Sequence, residues 1–289
     1  MFFFILLITS FCNDFSYAQA IEVSPVTQWS LSYKSKARLI SGRSIKQDGS
    51  SELYAAVEII LTPGWKTYWR HPGEAGGIAP LLEWSKSENL FSAETLFPKP
   101  RRFKSSIGDI IGYEKHVVMP IKIKAIEENS PINLSLNFKY GVCNEICIPV
   151  NTKFEFKLTP LQINAMPPQL TRALMRVPVK VKTISSLSNY PRIIRVKLNS
   201  KVSTFELIFD VHYPLGLDGA DAFVESSNSI YLPITELVSQ PTSNLMRYRI
   251  NFKNTIDFKS VVLEKLRFTI VSDLISTDSE QTIHLKYIR

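Results

Sequence analysis

The chain has 289 residues, 45% apolar and 21% charged, enough for one large or two ordinary globular domains and too apolar for a disordered tail. Eleven Gly and 17 Pro exclude collagen-like or glycine-rich low complexity, and three Cys are too few for a disulfide-dense scaffold. The net charge of +8 is spread without a long basic block, which suits solubility and weak attraction to acidic partners or membrane surfaces rather than nucleic-acid binding.

The first element reads as an address. Phe2–Phe11 is apolar, polar residues follow, and Ala18-Gln19-Ala20 offers a small-x-small cleavage site, so residues 1–20 resemble a secretory signal. No Lys or Arg precedes the apolar run, and Phe11 is too large for lipoprotein cleavage at Cys12. The run is too short to span a bilayer, which takes roughly 20 apolar residues, and no later segment approaches that length. The expected mature chain is therefore soluble and exported, with Cys143 and Cys147 in an oxidising compartment.

From Trp29 onward the pattern is strand-like. Leu53–Leu61, His116–Ile123, Ile132–Tyr140 and Lys153–Leu158 are rich in Val, Ile, Phe and Tyr, and several alternate apolar with polar residues. Clusters of Pro, Gly, Ser and Asn separate them. Residues 21–160 thus predict an antiparallel β-sandwich. Residues 161–178 predict a linker with a short helix over Gln169–Arg176, which follows Pro167-Pro168, since Pro is tolerated in a first helical turn. Strand patterns then resume at Ile193–Leu198, Thr204–Phe209, Ala222–Val224, Ile230–Leu232, Met246–Phe252, Arg267–Val271 and Thr282–Tyr287, predicting a second β domain over 179–289. The fold class expected is all-β.

The sharpest chemical feature is the block Tyr140–Pro149, in which Cys143 and Cys147 flank Asn144-Glu145-Ile146 beside a strand connection. A disulfide needs Cα atoms about 4.4–6.8 Å apart, which such a turn supplies. Three readings stay open. A structural staple over so short a loop contributes only about 2 kcal/mol by loop entropy. A redox pair cycles between dithiol and disulfide through a mixed disulfide. A metal site is the third, because two thiolates suit Cu(I). The C-x-E-x-C spacing looks like the copper loop of cytochrome oxidase subunit II, but Asn151 stands where that loop needs His. Copper-delivery proteins with C-x-x-x-C-P are similar too, but Ile148 intervenes before Pro149. Zinc wants four ligands, and the four His (His71, His116, His212 and His284) are scattered.

Other prominent residues have structural readings. Trp65, Tyr68, Trp69 and Trp84 suit core or cleft-wall aromatics, and Gly64, Gly73, Gly76 and Gly77 suit turns with φ > 0. Arg70 and Glu74 read as a surface pair of little energetic weight. Glu145 would raise a neighbouring thiol pKa by like-charge repulsion and Lys139 would oppose it. Hydrolase, zinc-protease, P-loop and dinucleotide motifs are missing.

The ordered set Pro63–Gly73, Gly76–Pro80, Glu83-Trp84-Ser85, Phe97–Pro100, Ile111–Glu114, Val117–Pro120 and Tyr140–Pro149 resembles the periplasmic N-terminal region of DsbD-like proteins, nearest the copper-sensitivity-suppressor (ScsB) branch. A weaker match lies at Phe223-Val224-Glu225 and Ile230–Pro233. The resemblance implies an immunoglobulin-like domain, periplasmic, in which Cys143 and Cys147 are the redox pair and no bound cofactor or metal is needed. The better-known DsbD domain has five residues between its cysteines and this chain has three, which favours the ScsB-like branch. Such domains cover their cysteines with a loop. The comparable segment is Phe103–Tyr113, with Phe103, Ile107, Ile110, Ile111 and Tyr113 as cap-loop candidates. The implied partners are a membrane electron donor and periplasmic thioredoxin-like or disulfide-bonded proteins. Full-length relatives continue into a membrane and a thioredoxin-like domain; this sequence holds neither, so the expected donor is a separate membrane protein. The same cysteines binding Cu(I), as a copper-tolerance accessory, is the alternative.

Overall fold

The computed structural model describes residues 26–106, 108–160, 163, 165–181, 188–201, 204–226, 232–252 and 265–282. The expected signal (1–20), the cap-loop candidate Ile107, positions 230–231 and positions 283–287 lie outside the described residues.

In chain order the first eleven strands are β1 (Ser30–Ser32), β2 (Ser35–Ile45), β3 (Ser51–Leu61), β4 (Lys66–Gly73), β5 (Leu81–Glu83), β6 (Leu90–Thr95), β7 (Arg101–Phe103), β8 (Ile110–Glu114), β9 (His116–Ala125), β10 (Ile132–Cys143) and β11 (Cys147–Leu158). They form two sheets, ordered β1-β2-β3-β9-β6 and β11-β10-β4-β8-β7, with β5 pairing β10. After helix α1 (Pro168–Met175) come β12 (Val179–Lys180), β13 (Arg192–Lys201), β14 (Thr204–His212), β15 (Asp221–Ser226), β16 (Glu236–Thr242), β17 (Leu245–Asn251), β18 (Lys265–Val271) and β19 (Thr277–Thr282). These give sheets β12-β19-β18-β15 and β13-β14-β17-β16. The all-β expectation holds, as one β-sandwich followed by a second. Among the described residues no helix is long and apolar enough to cross a membrane.

Each sandwich has its own core. In the first, Leu39, Val57 and Met119 of one sheet meet Leu136, Phe138 and Tyr140 of the other. In the second, Phe209 and Tyr248 of β14 and β17 meet Phe268 and Ile270 of β18. Strand alternation decides which residues enter. In β10, Ile132, Leu134, Leu136, Phe138, Tyr140 and Val142 face inward, while Asn133, Ser135, Asn137 and Lys139 face out. In β3 the run Tyr54–Ile59 is buried on both faces. The reason is α1, whose Leu170 and Ala173 cover Ile40, Tyr54, Ala56 and Val118 on the outer face. Gly42 permits that approach, since a Cβ there would lie 2.7 Å from Met166 Sδ. The helix starts on Pro168, in its first turn as expected.

Candidate active site

Strands β10 and β11 pair in unbroken register from Ile132↔Leu158 to Cys143↔Cys147. The cysteines are therefore the last opposed pair of a hairpin whose turn, Asn144–Ile146, is exposed. Their Cα atoms are 4.2 Å apart and the sulfurs are joined in a disulfide. On its other side Cys143 pairs with Lys66 of β4, so it is held between two strands, whereas Cys147 lies on the edge strand. The two sulfur-bearing residues differ accordingly: Cys143 is 4% exposed and Cys147 is exposed.

The cysteines do not face the sandwich core. Side chains alternate across a strand, so Cys143 shares the outer face with Gly141 and Lys139, opposite Val142 and Tyr140. On β4, Lys66 and Tyr68 take the same outer face, and Thr67 and Trp69 the inner one. Cys143 packs in a small cluster with Tyr68 and Ile110, bordered by Ala75 and Phe103. The same parity sorts the cap-loop candidates. Phe103 opposes Ile110 in the β7–β8 register, and both lie beside Cys143. Ile111 and Tyr113 turn to the inner face and join the main core, Tyr113 donating a 2.8 Å hydrogen bond to the Pro98 carbonyl. The sequence reading did not separate these faces, because the β-period of the segment 110–114 is hidden by its continuous apolar run.

Tyr68 reaches the disulfide directly, with its Oη 2.8 Å from Cys147 Sγ. A disulfide sulfur carries no proton, so the phenol donates. Burial raises the pKa of Tyr68, which keeps that proton in place. The ring is wedged between two glycines: a Cβ on Gly77 would come within 2.3 Å of Tyr68 Cε1, and one on Gly141 within 2.9 Å of Cε2. Tyr68, expected as a core or cleft-wall aromatic, is also a hydrogen-bond donor to the disulfide, a contact its residue type alone does not announce. The available signal was alternation, since a strand with Trp65, Thr67 and Trp69 inside must present Tyr68 outside.

The charged neighbours also find places. Lys139 lies 3.1 Å from Glu83, and Asn137 donates to the same carboxylate. Those two hydrogen bonds, Lys139 first, hold Glu83 below its usual carboxylate range. Lys139 is thus committed away from the cysteines, and Glu145 stays exposed on the turn. Arg70 does not pair with Glu74 as the sequence suggested. It makes a two-pronged ion pair with Glu225 of β15, closest approach 2.6 Å, in a partly buried position. A carboxylate 155 residues away wins because the guanidinium fork matches both its oxygens where solvent is scarce. Gly64, Gly73, Gly76 and Gly77 all have positive φ, as their turn reading requires. Among the described residues no group of three or more His, Cys, Asp or Glu side chains gathers to hold a metal.

Residues 37–159 match the family model "Thiol:disulfide interchange protein DsbD, N-terminal". This bears out the resemblance seen in the sequence. The matched stretch covers the first sandwich from within β2 to the end of β11, the cysteine hairpin included. Among solved structures, the N-terminal periplasmic domain of ScsB from Proteus mirabilis is similar at 22% identity and a TM-score of 0.65, over 91% of this chain and 100% of that one. At that identity the likeness is one of fold, and it extends through both sandwiches, the first of them immunoglobulin-like. No curated protein matches the chain.

Proposed function

We propose that this chain is an exported thiol–disulfide exchange protein that carries electrons from a membrane reductant to thiol proteins outside the cytoplasm. The observation that carries the reading is the asymmetry of the disulfide: Cys147 is exposed at a hairpin tip and Cys143 is buried behind it. The family description supports the chemistry, and the ScsB domain and the signal-like residues 1–20 support the compartment. Residues 21–160 serve as the exchange unit, 161–178 as the linker and 179–289 as a supporting β unit.

In the reduced protein the Cys147 thiolate attacks one sulfur of a target disulfide. A bond forms between Cys147 Sγ and that sulfur, and the target's other sulfur leaves as a thiolate and takes up a proton. Cys143 then loses its proton and attacks Cys147 Sγ. The internal disulfide closes and the second target sulfur departs. Two electrons pass to the target and the protein is oxidised. A dithiol donor runs the same steps backwards, meeting Cys147 first because that sulfur is the one within reach. Phe103 and Ile110 shield Cys143 from this traffic. Exposed Ile146, beside Cys147 on the turn, gives a visiting protein an apolar contact.

Oxidised glutathione is a sufficient probe. In a chain with Cys12 replaced by Ser, the reduced Cys143→Ser protein is expected to accumulate a stable glutathione adduct at Cys147, read by intact mass, while the protein with both hairpin cysteines releases glutathione and closes its own disulfide. Cys147→Ser is expected to react at least tenfold more slowly. If neither variant forms an adduct, or the buried Cys143 reacts as fast as Cys147, the exchange reading is wrong.

A further inference from the structure

We propose that Tyr68 is a catalytic residue of the exchange reaction, its hydroxyl donating a hydrogen bond to Cys147 Sγ and stabilising the thiolate that forms there. The inference rests on the exchange reading above and adds a residue that touches the reacting atom. The 2.8 Å contact is already made in the oxidised state, and the phenol must be its donor. When the disulfide opens, the same donor faces a full negative charge instead of a neutral sulfur. The bond strengthens as charge develops, which is the condition for a hydrogen bond to accelerate a step rather than merely bind.

Three features make the donor preorganised. Tyr68 is 1% exposed, so its proton is not exchanged for water contacts. Gly77 and Gly141 close on the two edges of the ring, so the hydroxyl has little lateral freedom. Thr67, next in the chain, donates from Oγ1 to the Gly141 carbonyl at 2.8 Å, which fixes β4 against the end of β10. Cys143 has the opposite surroundings. Its buried cluster is apolar apart from the tyrosine ring itself, Lys66 across the ladder sets its ammonium over the Phe103 ring at 5.4 Å, and the Asn144 carbonyl accepts hydrogen bonds and cannot donate one. Apolar burial raises a thiol pKa and donated hydrogen bonds lower it. The pair is therefore polarised: Cys147 is the sulfur best able to hold negative charge, and Cys143 is the resolving thiol. Tyr68 keeps its proton throughout, so the two-electron balance of the exchange is unchanged.

The test is the pH profile of Cys147 alkylation by iodoacetamide, in a full-length chain with Cys12 and Cys143 both replaced by Ser. Adding Tyr68→Phe retains the ring and removes one oxygen. It is expected to raise the apparent pKa of Cys147 by about one unit, roughly a tenfold loss of thiolate at neutral pH, with the high-pH plateau rate not reduced. A purely structural tyrosine would leave the profile in place, and superimposable profiles overturn the proposal. Should the Phe variant lose its near-ultraviolet circular dichroism, replacing the tyrosines with 3-fluorotyrosine supplies a more acidic phenol in an otherwise intact chain. The Cys147 pKa is then expected to fall, and an unchanged value overturns the proposal. This readout needs no exchange partner. A shifted pKa without glutathione adducts would sink the exchange reading and leave the Tyr68 bond standing. Adducts without a shift would do the reverse.

Discussion

Around Tyr68 the glycines do two different jobs, and substitutions separate them. Gly76 has φ +71° and open space where a Cβ would go. An alanine there meets only the backbone penalty of the left-handed region, about 1 kcal/mol. Gly141 has an ordinary backbone, but its Cβ would lie 2.9 Å from both Ile78 Cβ and Tyr68 Cε2. Gly141→Ala is expected to cost about 1–3 kcal/mol by overpacking and to push the tyrosine off Cys147. The two variants should then diverge in reactivity: Gly76→Ala lowers the denaturation midpoint and leaves Cys147 alkylation as in wild type, while Gly141→Ala slows alkylation at neutral pH as well. The turn glycines were legible in the sequence because PGW, HPG and GG are turn spellings. Gly141 was not, because close approach of a ring from a neighbouring strand leaves no local mark.

For the hairpin β10–β11, twelve opposed pairs carry the register, and the disulfide joins only the last of them. Closing a five-residue loop removes little unfolded-state entropy, so urea denaturation of the oxidised and dithiothreitol-reduced protein is expected to differ by about 2 kcal/mol. A difference of 5 kcal/mol would make the bridge a staple and argue against its turnover. The hairpin's main hold is elsewhere: Ile132, Leu134, Leu136 and Phe138 are wholly or almost wholly buried in the core. Alternation made most of β10 legible, and the cysteines could be placed beside a strand connection from the sequence alone. The strand runs three residues past the expected end at Tyr140 because β4 supplies partners for Val142 and Cys143. Other elements gave no such signal. β16 (ELVSQPT) is exposed along its length and pairs on one side only, so no apolar face betrays it. β19 (TDSEQT) is polar, yet Thr277 and Asp278 are buried, Thr277 donating to the Pro191 carbonyl and Asp278 taken in a two-pronged ion pair by Arg267 of the neighbouring strand. β4 itself read as a motif of aromatics rather than as a strand.

Contacts between the two sandwiches converge on the strands that build the cysteine site. Arg70 follows Tyr68 by two residues and binds Glu225 and Thr269, while its guanidinium stacks 4.0 Å from the Trp69 ring centroid. Arg102 precedes Phe103 and donates to both oxygens of Asp221 at 2.9 Å, to Asp109 at 3.2 Å and to Thr235. Trp69 meets Phe223 at a centroid distance of 5.5 Å. Apart from Asp109, seven residues from Arg102, none of these partners is legible locally, since 119 to 199 residues of chain separate the polar pairs that join the two sandwiches. Arg102 is 14% exposed, and its loss would leave the carboxylates of Asp109 and Asp221 facing each other with only Lys104 to answer Asp109. Breaking a largely buried pair from one side is costly, so Arg102→Ala is expected to lower stability by about 3 kcal/mol in urea denaturation. Arg102→Lys should recover less than half of that, because a single ammonium cannot span the two Asp221 oxygens and Asp109 at once. The loosening should also be felt at the sulfurs. With β7 released from its anchor, Phe103 no longer holds its place over Cys143, and reduction of the disulfide by dithiothreitol is expected to speed up several-fold. Arg101→Ala, one residue away and paired with Glu114 at the surface, is the control that should change neither quantity. Equal effects from the two arginines would mean that the second sandwich does not steady the cysteine site.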